Sequence, residues 1–243
     1  MKEKIYTIPI NDAFDKHSEC AICEFERAEE QNRIDYTLGA SMMEPDSRIF
    51  TNDRGFCRRH CSMLFKCENK LSLGLVLKTH LDELIKEFEN ADKLINSDDS
   101  KKSLFSKGKS DTIADAVLKI SQKNNSCSVC EKLEEIMDVF VENIFYLYFA
   151  DSDFKAKFDD SRGFCLKHYD LLLTKAQKHL SGKKLKEFCV QLSKIQLDNF
   201  NRLADEVDWF TKKFDYRYKD EDWKTSRDAV PRAVQKVAGY IED

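Results

Sequence analysis

The chain is poor in helix breakers, with only 7 glycines and 3 prolines among 243 residues. So few turn-formers exclude a fold of many short strands joined by tight turns, and the abundance of Lys, Glu, Leu and Asp favours helices. No apolar run approaches the roughly 20 residues of a membrane span. The start, MKEKIYTIPINDAF, lacks the apolar core and small-residue cleavage site of a signal peptide. The expected location is therefore the cytoplasm, with no membrane as partner. Charge of one sign is also lacking: 40 basic residues stand among 44 acidic ones, for a formal net charge of −4. No face for phosphates is implied, so nucleic acid is not an expected partner.

What is present in number is cysteine. Nine cysteines occur in a chain with 42% hydrophobic residues, enough to bury a core without disulfides. Cytosolic thiols are kept reduced, so a clustered set reads as metal ligands.

An internal repeat organises them. INDAFDKHSECAIC (10–23) matches IADAVLKISQKNNSCSVC (113–130), and DRGFCRRH (53–60) returns as SRGFCLKH (161–168). Each half carries a lead-in segment, a helix after CxxC, a short acidic helix or turn, a helix opening at GFC and a long closing helix. The closing run of the second half places Leu185, Phe188, Leu192, Ile195, Phe200, Leu203, Val207, Phe210 and Phe214 at mostly three- and four-residue steps, one buried helical face. The expected fold is all-α: two tandem, pseudo-symmetric helical units, each stapled by its own Cys3His metal site. The expected divisions are a first repeat at 1–95, a Ser- and Lys-rich linker at 96–111, and a second repeat at 112–215. A tail at 216–243 packs on the bundle, and Pro231 opens its short final helix.

In the first half Cys20 and Cys23 precede Cys57 and His60; in the second, Cys127 and Cys130 precede Cys165 and His168. C-x2-C followed by C-x2-H is a three-thiolate, one-imidazole set, which suits Zn2+ in a closed tetrahedral site. A Cys and a His three residues apart share a helix face. A CxxC at a helix start gains from the exposed N–H groups and the positive dipole end. Asp53 or Ser161 is expected to cap the following helix, Gly55 and Gly163 to allow unusual dihedrals or close approach, and Phe56 and Phe164 to shield the site. Arg54 and Arg162 are candidates to balance the net negative charge of the thiolates. Two Zn2+ per chain are expected, with an iron–sulfur cluster as the rival cofactor. Cys61, Cys67, Cys189, His17, His80 and His179 fall outside the repeat and read as ordinary structural residues.

Other chemistries fit less well. No strand-like run precedes either CxxC, as a dithiol redox motif requires. His17-Ser18-Glu19 abuts Cys20 without the deaminase proline and is absent from the second half. Heme attachment needs CxxCH, whereas Cys23 and Cys130 are each followed by Glu. No catalytic or cofactor-binding residues stand out beyond the metal ligands, and four protein candidates per site leave no open position for catalysis.

These motifs in order (IPINDAF, CxxC, RGFCxxH, a second CxxC, GFCxxH and DYRYKDEDW) make the chain resemble a family of uncharacterised bacterial proteins over Ile8 to about Gly239. The family form has Pro after the first Cys, where Ala21 and Ser128 stand here. Some members carry a transporter substrate-binding label, a role that calls for an export signal and a lipoprotein cysteine not seen in this chain. The first functional reading is a zinc-stapled scaffold binding a protein, peptide or small molecule, with Phe140, Phe145, Tyr146, Tyr148 and Phe149 as candidate lining. The second is a metal- or redox-responsive regulator. The third is an enzyme, toward which no residues point.

Overall fold

The computed structural model describes residues 4–96 and 112–240; apart from Asn96, the expected linker lies outside them. Eleven α-helices and one 3-10 turn carry the described residues, with no strand among them. The first five are α1 (Lys4–Asp15), α2 (Ala21–Leu38), α3 (Pro45–Arg54), α4 (Arg58–Lys66) and α5 (Lys70–Ile95). The next five repeat the order as α6 (Thr112–Asn124), α7 (Ser128–Ala150), α8 (Ser152–Asp159), α9 (Leu166–His179) and α10 (Gly182–Lys212). The unrepeated α11 (Ala229–Ala238) follows. Local chemistry sets the ends. Pro45 begins α3, where its missing N–H does no harm, and the Asp151 carboxylate accepts the N–H groups of Asp153 and Phe154 at the start of α8.

The helices form two compact units, and these are not the tandem halves. Unit 1 takes the chain up to Glu29 and again from Glu135 onward, and unit 2 is Glu30–Glu134. The boundaries fall inside α2 and α7. Accordingly α1 packs on α8 and α6 on α5, so each unit joins the lead-in helix of one repeat to the later helices of the other. Helix length explains why the 1–95 and 112–215 division fails. The 23 residues of α7 carry the chain about 34 Å away from Cys127. Its return helix α8, with 8 residues, covers only about 12 Å. The GFC motif that follows therefore meets a different CxxC from the one that began its repeat.

Unit 1 has an aromatic core. Phe14 of α1 meets the rings of Phe154, Phe158 and Phe164 at 5.1, 5.9 and 6.3 Å, and Phe188 of α10 meets Phe158 at 5.4 Å. Of the closing stripe, Phe188, Leu192, Ile195 and Leu203 are buried as expected, but Phe214 is exposed and meets Phe210 at a tilt and Trp223 edge-on. The core of unit 2 is mainly aliphatic: Ile34, Leu38, Leu64, Leu73 and Val129 around Cys127, flanked by Phe56, Met63 and Leu77. Within unit 1, α11 packs against α9 and α10. This helix begins at Ala229, two residues before Pro231, which still lies in the permissive first turn.

Candidate metal centres

All eight expected ligands converge, in two groups of four. Cys20, Cys23, Cys165 and His168 form one cluster in unit 1, and Cys57, His60, Cys127 and Cys130 form the other in unit 2. The expectation that each half supplies its own site is thus corrected: the CxxC of each half meets the CxxH of the other. Cys20 and Cys127 immediately precede α2 and α7, and Cys57 and Cys165 are the N-cap residues of α4 and α9. Every ligand pair therefore sits at a helix start, as the sequence implied.

Within each cluster the donor atoms lie within 4.8 Å of one another. His168 Nδ1 is 3.3, 3.4 and 3.4 Å from the sulfurs of Cys20, Cys23 and Cys165. His60 Nδ1 is 3.2, 3.1 and 3.4 Å from those of Cys57, Cys127 and Cys130. Sulfur–sulfur separations are 3.6 Å for Cys23–Cys165 and 3.9 Å for Cys57–Cys130. A zinc tetrahedron with bonds of about 2.3 Å to sulfur and about 2.0 Å to nitrogen has edges of about 3.8 Å between sulfurs and about 3.5 Å from sulfur to nitrogen. The donor sets fit one tetrahedral ion each.

Both imidazoles point Nδ1 at the sulfurs and Nε2 at a carboxylate. Glu30 Oε1 is 2.9 Å from His60 Nε2, and Glu26 Oε2 is 3.1 Å from His168 Nε2. Such carboxylate–imidazole pairs fix the ring and raise the basicity of the ligating nitrogen. Sequence comparison between the halves missed these glutamates because Leu133 and Met137 stand at the matching places after Cys130. The available signal was helical: Glu26 and Glu30 follow Cys23 at three and seven residues, on one face of α2.

Charge in the clusters follows from this packing. Burial alone would lower the pKa of His60, but hydrogen bonds with Cys127 and Glu30 raise it to about 10. Burial likewise opposes the rise of His168, which contacts with Cys165, Cys20 and Glu26 bring to about 11. Against its own burial, the Cys127 thiol is drawn down to about 6 by His60. Hydrogen bonds from Cys20 and Cys23 hold Cys165 far below the usual thiol range. Each cluster thus favours thiolate in one member, while hydrogen bonding to Cys165 pushes the Cys23 thiol up and burial pushes Cys130 up; binding of an ion would displace their protons.

The supporting roles sort differently from expectation. Asp53 does not cap α4; it lies in the last turn of α3 and pairs with Lys123 at 2.5 Å. Ser161 Oγ is buried without a hydrogen-bond partner. Gly55 and Gly163 do have the left-handed φ values expected, +61° and +75°, yet their close neighbours are His80 and Gln196, not sulfur. The Gly55 carbonyl accepts both the N–H and the hydroxyl of Ser128, at 3.0 and 3.1 Å, and so docks the second CxxC onto the first GFC turn. Phe164 is fully buried and Phe56 partly so. Arg54 turns to Glu131 and Asp53 at the surface. Arg162 faces Glu19 at 3.6 Å. Of the candidate groove lining, Phe140, Phe145 and Tyr148 are core residues, which leaves only Tyr146 exposed and Phe149 half-buried.

The chain belongs to a family of unknown function (DUF6062), whose model matches residues 1–243. No curated protein and no solved structure matches it.

Proposed function

We propose that this protein is a cytoplasmic helical scaffold held by two structural zinc ions, one in each unit, and that it binds a protein, peptide or small molecule. The observation that carries the reading is the convergence of three sulfurs and one imidazole nitrogen within 4.8 Å in both clusters. Four protein donors close a tetrahedral site, which is the mark of structural zinc. The bridging sulfides of an iron–sulfur cluster would spread four protein ligands over several irons, farther apart than the edges of a one-ion tetrahedron; the short separations favour a single ion. All nine cysteines are free thiols, which persist in a reducing compartment. No described helix is long and apolar enough to cross a membrane. Exposed Leu81, Ile85 and Phe88 on α5 support the partner-binding part of the reading.

The test is metal analysis of protein purified without added metal. Two zinc ions per chain are expected. Iron with acid-labile sulfide, or no metal, overturns the reading.

A further inference from the structure

We propose that the two centres have different tasks: the Cys20 centre is permanent, and the Cys57 centre gives up its ion to an incoming thiolate acceptor. The inference rests on the zinc reading above and goes beyond it. The two donor sets share residue types and distances, so the difference lies in what surrounds them. Cys20, Cys23, Cys165 and His168 are 0, 1, 0 and 0% exposed. In the other centre Cys57 is half-buried and Cys130 is exposed.

A clamp closes the Cys20 centre. Glu19, itself 1% exposed, precedes Cys20, and Arg202 Nη2 donates to both of its carboxylate oxygens, at 2.7 and 2.9 Å. Arg232 and Lys236 of α11 reach the same carboxylate at 3.2 and 3.3 Å. Lys236 also donates to the Glu19 carbonyl at 2.7 Å and to the Arg162 carbonyl, which ties the start of α2 and the turn before α9 to one buried ammonium. Just beyond, the chain at Gly239 passes so close that a side chain there would touch the Cys165 sulfur. Release of an ion through this side of the centre requires α11 to lift. In unit 2 Glu131, next to Cys130 in the chain, pairs with Arg54 at 3.0 Å on a solvent-exposed surface. Cys61, one turn beyond Cys57 on α4, adds a further exposed thiol.

The step is ligand exchange without redox change. An incoming thiolate sulfur bonds to the ion as the bond from the ion to Cys130 breaks. Cys130 departs as a thiolate that takes a proton from water, and the remaining ligands follow in turn. The acceptor class is a small thiol or a cysteine-rich protein, since sulfur donors compete for the same soft ion.

Full-length protein carrying two zinc ions is mixed with 4-(2-pyridylazo)resorcinol at increasing glutathione, and zinc release is followed by absorbance. Release is expected in two phases, the first faster by on the order of tenfold, the scale on which supporting contacts tune metal sites. The rate of the first phase should rise with glutathione. N-ethylmaleimide mapping after that phase should newly label Cys57, Cys127 and Cys130, and leave Cys20, Cys23 and Cys165 protected. Lys236→Met should speed the second phase alone. A single rate, early labelling of Cys20, Cys23 or Cys165, or a first phase indifferent to glutathione overturns the proposal. Failure of the zinc reading itself is distinguishable, because it shows in the metal content before any chelator is added.

Discussion

Replacing Cys165 by serine tests the crossed pairing directly. Its sulfur is fully buried, 3.6 Å from that of Cys23 and 3.4 Å from His168 Nδ1. Structural zinc is worth about 10–16 kcal/mol over four ligands, so one ligand represents about 3 kcal/mol, on the order of a hundredfold in affinity. Zinc content after gel filtration and mass-spectrometric mapping of alkylated cysteines give the readout. One ion is expected to be lost, with Cys20 and Cys23 becoming reactive. Cys127 and Cys130, being ligands of the other ion, should react no faster than in the parent protein. The opposite pattern, reactive Cys127 and Cys130 with protected Cys20 and Cys23, would restore pairing within each half and refute the reasoning.

Gly55→Ala should destabilise unit 2, because the residue needs a φ of +61° and a methyl group there would overlap the His80 imidazole. Backbone strain of this kind costs about 1–3 kcal/mol, which thermal melting reads as a fall of about 2–4 °C per kcal/mol. Adding His80→Ala should recover the steric part, and an unchanged melt would contradict the geometry. Acid should weaken the metal-free fold. Burial works against ionisation of Glu26, but His168 and Lys167 hold its pKa at about 2, below the ordinary 4.5. Burial also opposes the lowering of Glu19 and Glu30, which Lys236 with Arg202 and His60 with Arg59 nevertheless achieve. A depressed folded-state pKa means that the unfolded chain binds more protons, so this stability is present above 4.5 and is lost as pH falls toward 2. Urea midpoints of chelator-treated protein should fall over that range, and fall less in Glu26→Gln. A pH-independent midpoint would show that these carboxylates do not contribute.

The all-α class, the duplicated order of helices and the eight residues that gather in the two clusters were legible because they are local properties of the chain. Helix periodicity marked the α10 stripe, and CxxC and CxxH placed two ligands each on single helix starts. Which pair meets which depends on how far α2 and α7 carry the chain before it turns, and spacing alone does not encode that distance. Glu26 and Glu30 escaped notice because only α2 carries them. Nothing in the sequence sets Lys236 apart from the other cations of the tail, yet on the inner side of α11 it is only 1% exposed. Its burial arises from the partners that Glu19 and Arg162 provide from distant parts of the chain.

The crossed pairing also bears on why the fold carries two staples. Ligands paired within one half would close a loop of 34 positions from Cys23 to Cys57, whereas Cys23 and Cys165 are 142 apart and Cys57 and Cys130 are 73 apart. Loop-closure entropy grows by about 0.6 kcal/mol per doubling, so crossing adds about 1.2 kcal/mol of constraint on the unfolded chain at the Cys20 centre and about half that at the other. Each cluster joins the front of one repeat to the back of the other, so neither repeat owns a complete cluster. Residues 1–96 and 112–243, produced separately, should each lack structural zinc, because either fragment holds only two ligands of each centre. Mixed under reducing conditions with zinc, the fragments should associate and bind two ions per pair, as read by light scattering and metal analysis. A single fragment that holds one ion as tightly as the intact chain would show that pairing within a repeat suffices, whatever the lengths of α2 and α7.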